Sequence, residues 1–208
     1  MTLGTQWALD WIHACADAAA ENRELLIDLD RAIGDADHGE NVDRGFQAVV
    51  AKLDAQSPQT PSDVLKTTAQ TLISTVGGAS GPLLGTAFLR AAKAAGDGEI
   101  DSEGVVALLQ AALEGIQQRG KAKEGEKTMV DAWAPAAHAA ALASGSPAEV
   151  LAIAAGAAQA GADATTQMIA TKGRASYLGE RSLGHKDPGA TSSALFIEAA
   201  ARTAQEAQ

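Results

Sequence analysis

A group of acidic residues early in the chain is the clearest candidate for chemistry. Asp30, Asp35 and Asp37 lie in the segment DRAIGDADHG, which Gly34 and Gly39 interrupt. Helical residues five apart point about 140° away from each other, so these carboxylates can share a ligand only if the backbone turns back. Unpaired carboxylates about 4 Å apart repel by roughly 4 kcal/mol at an effective dielectric constant near 20. The cluster therefore predicts a bound hard cation, magnesium or calcium.

An EF-hand calcium loop and a plain turn between two helices are the two other interpretations of this segment. An EF-hand calcium loop needs Gly at position 6 and Glu at position 12. Counted from Asp35, those positions are Glu40 and Phe46, so the EF-hand is excluded. A plain turn in which Asp37 caps the next helix is an alternative that the sequence does not exclude. It does not explain why His38 and Asn41 gather at the same turn.

Two glycine-containing segments are candidates for phosphate binding. The segment VGGASGPL, residues 76–83, opens a helix, and its backbone N–H groups could cradle a phosphate. A purely structural turn between packed helices would account equally well for this glycine-rich sequence. The segment GKAKEGEKT, residues 120–128, is close to a Walker motif. It has Glu126 where that motif requires Lys and lacks a preceding strand, so a P-loop is excluded.

Three further segments are weaker candidates for nucleotide binding. Thr128 and Met129 begin a predicted helix and could offer a hydroxyl and an apolar wall to a nucleotide, although helix capping explains Thr128 equally. Residues 171–186 form a long predicted loop that carries Arg174, and such loops are functional or disordered. Residues 187–189 begin the last predicted helix and have a structural role unless a nucleotide reaches them.

Apolar residues recur at helical spacing along most of the chain, which predicts an all-α protein of about eight helices without a strand. The first helix is expected to run from Trp7 through Leu25, Leu26 and Leu29. The later ones are expected to begin near Asn41, Ser62, Pro82, Ser102, Met129, Ser146 and Asp187. Ser62 is predicted to cap its helix, and Ser146 and Glu149 are predicted to form a capping box. We expect residues 1–208 to form a single domain.

Composition excludes several classes of protein. The net charge of −10 disfavours nucleic-acid binding, which requires many Lys and Arg residues. No apolar run reaches 18 residues, so no membrane span is expected. Cys15 is the single cysteine and the N-terminus does not resemble a signal peptide. These features predict a cytoplasmic protein.

Taken together, four segments closely resemble the L subunit of bacterial dihydroxyacetone kinases: IGDADHG, VGGASGPL, RGKAKEGEKTM and KGRASYLGERSLGHKDPGATS. The resemblance extends over essentially the whole chain, in the same order. It implies an antiparallel eight-helix barrel with a nucleotide at one mouth. It further implies that Asp30, Asp35 and Asp37 hold two Mg²⁺ ions and that the nucleotide is bound by His38, Asn41, Ala79, Ser80, Gly120, Thr128, Met129, Arg174, Asp187, Pro188 and Gly189.

The same resemblance implies how the protein works. Bound ADP would accept phosphate from a phosphohistidine carrier protein of the phosphotransferase system, then pass it to dihydroxyacetone on a separate K subunit. We expect no K module in this chain, because the sequence starts shortly before the first apolar stripe and ends with the last helix. Two alternatives stay open: an ATP-dependent L subunit acting on dihydroxyacetone or a four-carbon ketose, and a nucleotide-sensing regulatory partner.

Overall fold

The structure, a computed structural model, describes residues 2–207. The described residues form nine α-helices: α1 (Thr5–Glu21), α2 (Arg23–Ile33), α3 (His38–Asp54), α4 (Pro61–Thr75), α5 (Ser80–Ala95), α6 (Ser102–Gly120), α7 (Val130–Leu142), α8 (Pro147–Ala164) and α9 (Pro188–Glu206). Two short 3-10 segments, Thr165–Gln167 and Arg174–Ser182, lie between α8 and α9. Within residues 2–207 the extended backbone pairing is limited to one bridge between Leu3 and Ile100. The all-α prediction is confirmed.

Eight of the helices form a closed ring. Each of α3 to α9 packs on its neighbours in the chain, and α1 completes the ring by packing on both α3 and α9. Short connections make neighbouring helices antiparallel. The connections α2–α3, α4–α5, α6–α7 and α8–α9 therefore all emerge at the same end of the barrel, which places the predicted motifs at one mouth.

The first helix is shorter than the sequence analysis predicted. Asn22 ends α1, and its side-chain Nδ2 donates a hydrogen bond to the carbonyl of Ala18 at 2.9 Å. An Asn side chain that bonds to the backbone in this way competes with continued helix. The separate helix α2 then buries Leu26, but Leu25 is half exposed, so its expected place in the buried stripe was wrong.

The fourth helix also begins differently from the prediction. Thr60, not Ser62, caps α4, since its Oγ1 accepts the backbone N–H of Asp63 at 3.1 Å. Ser62 is buried instead and donates to the carbonyl of Ala92 at 3.0 Å, which joins α4 to α5. The predicted capping box at the start of α8 is present, with both of its reciprocal hydrogen bonds between Ser146 and Glu149.

The barrel interior is filled mainly by small and aliphatic side chains. Many of its buried positions are alanines, which allow helices to approach closely. A few aromatic rings fill the remaining space: Trp11 stacks near Trp7 with ring centroids 5.2 Å apart, and Phe46 lies 4.6 Å from Phe196. No helix among residues 2–207 is sufficiently long and apolar to span a membrane.

Candidate functional site

The acidic turn folds back as its glycine predicts. Helix α2 ends at Ile33, and a side chain at Gly34 would collide with the carboxylate of Asp30. The turn brings one carboxylate oxygen from each of Asp30, Asp35 and Asp37 to within 4.8 Å of the others. The three residues therefore form a compact set of oxygen donors, although Asp30 lies seven residues from Asp37 in the chain.

Local hydrogen bonds fix the innermost carboxylate. Asp30 is 8% exposed, and its Oδ2 accepts the backbone N–H of Asp37 at 2.9 Å and of His38 at 3.2 Å. Charge-assisted bonds of this kind fix the position of a carboxylate. Asp35 and Asp37 are exposed towards the mouth. One side of the cluster is thus anchored by the protein, and the other is open to a ligand. Oxygen donors of this type suit Mg²⁺ or Ca²⁺, so the residues fit a hard divalent ion.

His38 connects three helices behind the acidic turn. Its Nδ1 lies 3.1 Å from the Oγ of Ser80 at the start of α5, and its Nε2 lies 2.9 Å from the Oγ of Ser192 in α9. Burial lowers the pKa of His38, although nearby Asp30 and Asp37 act in the opposite direction. A neutral imidazole can donate to one serine and accept from the other.

The glycine-rich turn lines the same cavity as the carboxylates. Gly77, Gly78, Ala79 and Ser80 all line the cavity, and Gly78 has a φ of +66°, which favours glycine. The N-terminus of α5 opens at Ser80, so its free N–H groups and dipole face this space. The turn therefore has the arrangement expected of a phosphate-binding element.

Asn41 supports that turn from behind and is not among the residues lining the cavity. A Cβ on Gly77 would lie 3.1 Å from the Oδ1 of Asn41, a crowded distance that a small shift of Asn41 would have to relieve. The same Oδ1 accepts a hydrogen bond from Arg44 at 2.5 Å. In this structure the side chain of Asn41 therefore lies next to Gly77 of the glycine-rich turn.

An apolar wall occupies another side of the cavity. Leu83, Thr128 and Met129 line it, and the whole cavity has a volume of about 350 Å³. Gly120 is outside the lining, and a Cβ there would lie 3.1 Å from Cδ2 of Leu83. Gly120 is thus placed behind Leu83. Ligand pockets commonly combine such a wall with a few convergent polar groups.

The start of the long loop, at residues 172–175, also lines the cavity. Its Arg174 reaches the acidic turn, with Nη2 2.9 Å from the Oδ2 of Asp35. Ala175 packs with Ile33 and Ala170 in a small apolar cluster of its own. The loop is therefore ordered partly as the 3-10 segment Arg174–Ser182 and is attached to α2.

Asp187, Pro188 and Gly189 line the remaining side of the cavity. Asp187 caps α9, because its Oδ2 accepts the N–H of Ala190 at 2.7 Å, and its own N–H donates to Oγ1 of Thr165 at 2.9 Å. Burial raises the pKa of Asp187 to about 7, even though the bond from Ala190 acts to lower it.

Sequence reasoning missed several residues of the site. Lys172 and Lys127 line the cavity, and Ser192 contacts His38. Lys172 is only two residues from Arg174, so the basic segment was a signal for it. Ser192 gave none, because its contact lies 154 residues away in the chain.

Comparison with known proteins is consistent with this geometry. A family profile described as "DAK2 domain" matches residues 32–202. The chain is 46% identical to the ADP-binding subunit of PEP-dependent dihydroxyacetone kinase 1 from Listeria innocua, over 98% of each chain. It is 43% identical to the ADP-binding subunit of the PEP-dependent dihydroxyacetone kinase of Escherichia coli, over 99% of this chain and 100% of the other.

A solved structure shares the fold. The dihydroxyacetone kinase from C. freundii, crystallised in complex with AMP-PNP and Mg²⁺, superposes with a TM-score of 0.73 at 26% identity. The match covers 97% of this chain and 34% of the other. The present chain thus spans about a third of that kinase's length.

Proposed function

This chain belongs to the DAK2 domain family, and from that membership we propose that it is the ADP-binding subunit of a PEP-dependent dihydroxyacetone kinase. The observation that carries the proposal is the meeting of two elements at one cavity. The clustered carboxylates of Asp30, Asp35 and Asp37 and the glycine-rich turn at residues 77–80 line the same cavity. A metal-bound diphosphate would be held by the carboxylates through its metal ions and by the glycine-rich turn through its phosphate oxygens.

We assign Asp30, Asp35 and Asp37 as the ligands of two Mg²⁺ ions. When bound, Mg²⁺ supplies charge neutralisation on the phosphate oxygens and holds them in a fixed orientation. The support from this chain is its donor set: three carboxylates close together, with the inner one anchored by two backbone N–H groups. Without a cation, their mutual repulsion is offset only by the exposed pair of Asp35 with Arg174 and by the backbone bonds to Asp30.

The remaining residues of the cavity would bind and orient the nucleotide. The N-terminus of α5, at Ala79 and Ser80, faces the phosphates, and neutral His38 keeps Ser80 in place through its hydrogen bond. Leu83 and Met129 provide an apolar wall suited to the adenine ring. Thr128 and residues 187–189 complete the cavity lining. Asn41 would act indirectly through its contact with Gly77, and Gly120 through its contact with Leu83.

Arg174 would neutralise negative charge on the phosphoryl group during transfer. Its guanidinium lies beside Asp35, a proposed metal ligand, so it could also contact the phosphate that the metal would bind. Guanidinium groups bind phosphate oxygens through two parallel hydrogen bonds. Phosphoryl transfer depends on positioning and charge stabilisation and requires little covalent chemistry from the protein. A site made of carboxylates, a helix N-terminus and an arginine supplies those requirements.

We further propose two protein partners. A phosphohistidine carrier of the phosphotransferase system would phosphorylate the bound ADP, and a K subunit would present dihydroxyacetone. The names of the Listeria and Escherichia relatives support a PEP-dependent system. The AMP-PNP complex of the C. freundii kinase favours a second candidate, in which free ATP is the donor.

The nucleotide content of gently purified protein tests the proposal. We expect near-stoichiometric ADP to remain with the wild-type chain and to be lost from Asp37→Asn. Asp54→Asn, on the exposed end of α3, should retain it as the control. Wild-type protein that neither retains ADP nor binds added Mg-ADP would contradict the proposed function.

A further inference from the structure

Lys127 is a buried cation that the proposed chemistry does not use. The residue is 1% exposed, and its ammonium Nζ donates to the carbonyls of Thr165 at 2.7 Å and Met168 at 3.1 Å, and to that of His185. An ammonium group has three N–H donors, so all three are occupied by backbone oxygens. Although Lys127 lines the cavity, none of its donors is free for a phosphate.

The three carbonyls belong to the two ends of the long loop. Thr165 and Met168 lie where the chain leaves α8, and His185 lies just before it enters α9. Other bonds join these ends as well, from the N–H of Gly184 to the carbonyl of Thr166 at 2.9 Å and from the N–H of Ala170 to Oγ of Ser182. Two charged side chains join these ends: buried Lys127, and Lys186, whose Nζ lies 2.6 Å from Oδ1 of Asp163.

The backbone around Lys127 is held in an unusual conformation. Lys127 has a φ of +60°, a region that residues with a side chain rarely adopt. Asp131 stabilises the turn on both sides, since its Oδ2 accepts the N–H of Thr128 at 2.8 Å and its Oδ1 accepts that of Gly125 at 2.5 Å. Such backbone strain persists where the surroundings enforce it, often at functional sites.

The loop base and the cavity share residues. Thr165, whose carbonyl accepts from Lys127, also holds the N–H of Asp187 through its Oγ1 at 2.9 Å. Asp187 begins the segment that lines one side of the cavity, and Arg174 in the loop lines another. A displacement of the loop base would therefore move both sides of the site.

We propose that Lys127 is a positioning residue that ties together both ends of the connection between α8 and α9, residues 165–187, which contains the long loop, and thereby slows the release of nucleotide. It acts through Arg174 and Asp187 and does not touch the phosphates. The inference rests on the proposed function, because it assumes that Mg-ADP binds in this cavity.

Release of a fluorescent ADP analogue from the full chain, measured by stopped flow with Mg²⁺ and excess unlabelled ADP, tests the proposal. Lys127→Met keeps the length of the side chain and removes its three donors. We expect about ten-fold faster release, because hydrogen bonds to a charged group contribute enough for such a change. Lys127→Arg keeps the charge and several donors, so its rate should return towards that of the wild type. Lys123→Met, at an exposed lysine in the same connection, is the matched control and should leave the rate unchanged.

The measurement is made at a temperature where circular dichroism shows native helix for every variant. A lysine with a merely structural role would lower the melting temperature of Lys127→Met and leave the release rate unchanged, and that result would overturn the proposal. If Lys127→Met does not fold, Lys127→Gln, which retains an amide donor, replaces it under the same criterion. Failure of the wild-type chain to bind the analogue would instead refute the proposed function.

Discussion

The guanidinium of Arg174 lies 2.9 Å from the carboxylate of Asp35, and this contact joins the long loop to the acidic turn. The two side chains are 65% and 36% exposed. An ion pair this accessible to water contributes at most about 1 kcal/mol to stability. The importance of the contact therefore lies in where it places the guanidinium, beside the proposed metal ligands.

Replacement of Arg174 by Met should separate activity from stability. We expect phosphoryl transfer to fall by about a hundred-fold or more, because a preorganised charge at the reacting group is removed. The melting temperature should change little, since the pair is exposed. A transfer assay and a thermal melt on the same preparations check both statements. Arg181→Met, in the same loop but outside the cavity lining, is the control. Equal activities of the two variants would exclude a role for Arg174 in transfer.

Asp35→Asn and Asp37→Asn should abolish transfer without unfolding the chain. Each change removes a charged oxygen donor from the proposed metal site, and both side chains lie on an exposed turn. In the absence of metal, Asp37→Asn should be at least as stable as the wild type, because repulsion within the cluster decreases. Asp35→Asn also loses its exposed ion pair with Arg174, so its stability should change little. Asp28→Asn, on the exposed side of α2, should retain activity. Near-normal transfer by both cluster variants would show that the metal lies elsewhere.

The acidic turn could be predicted from sequence because all its determinants are local. Gly34 follows Asp30 closely, and its glycine character specifies where the backbone turns back. The contact of His38 with Ser192 could not be predicted in this way. It requires closure of the ring by α9 onto the early helices, and nothing near either residue specifies which distant side chain completes the pair.

The helix boundaries that were predicted incorrectly also depend on contacts that the periodicity of apolar residues does not reveal. The break at Asn22 depends on a side chain that bonds to the preceding turn, which periodicity does not reveal, so one long helix was expected. The cap of α4 was assigned to Ser62 instead of Thr60 because the bond from Ser62 to Ala92 depends on a neighbouring helix. Lys127 was considered only as part of an excluded Walker motif, since its three carbonyl partners lie about forty to sixty residues further along the chain.

The buried carboxyl of Asp187 should make the stability of the nucleotide-free protein depend on pH. Its folded pKa of about 7 exceeds the ordinary value of 3.8, so the folded state binds the proton more tightly. This contribution is fully present at low pH and is lost as pH rises towards 7. Asp187→Asn preserves an oxygen that can cap α9 and cannot ionise.

Asp187→Asn should therefore be more stable than the wild type above pH 7, by up to about 4 kcal/mol. The advantage should disappear as the pH falls towards 4. Denaturant unfolding of the two proteins across this range, without nucleotide or metal, provides the measurement. A difference in unfolding free energy that does not vary with pH would contradict the assigned burial effect.

Ligand removal should lower thermal stability and leave the helices folded. If Mg²⁺ and ADP bind only the native state, saturation at about a hundred times the dissociation constant adds roughly 2.7 kcal/mol. For a chain of this size that corresponds to a decrease of about 5–10 °C in melting temperature on chelation and nucleotide removal. Helical circular dichroism at low temperature should be retained. Identical melting curves with and without both ligands would count against the site.

In the proposed mechanism, ADP stays bound to the chain while it is phosphorylated and dephosphorylated in place. The direct measurement loads the chain with ADP labelled in its adenine ring. The loaded chain is then supplied with phosphoenolpyruvate, the carrier proteins, the K subunit, dihydroxyacetone and an excess of unlabelled ATP. We predict that the label remains on the protein through many turnovers. Loss of the label at the rate of turnover, with dihydroxyacetone phosphate formed from ATP when the carrier is omitted, would contradict the claim and favour free ATP as the donor.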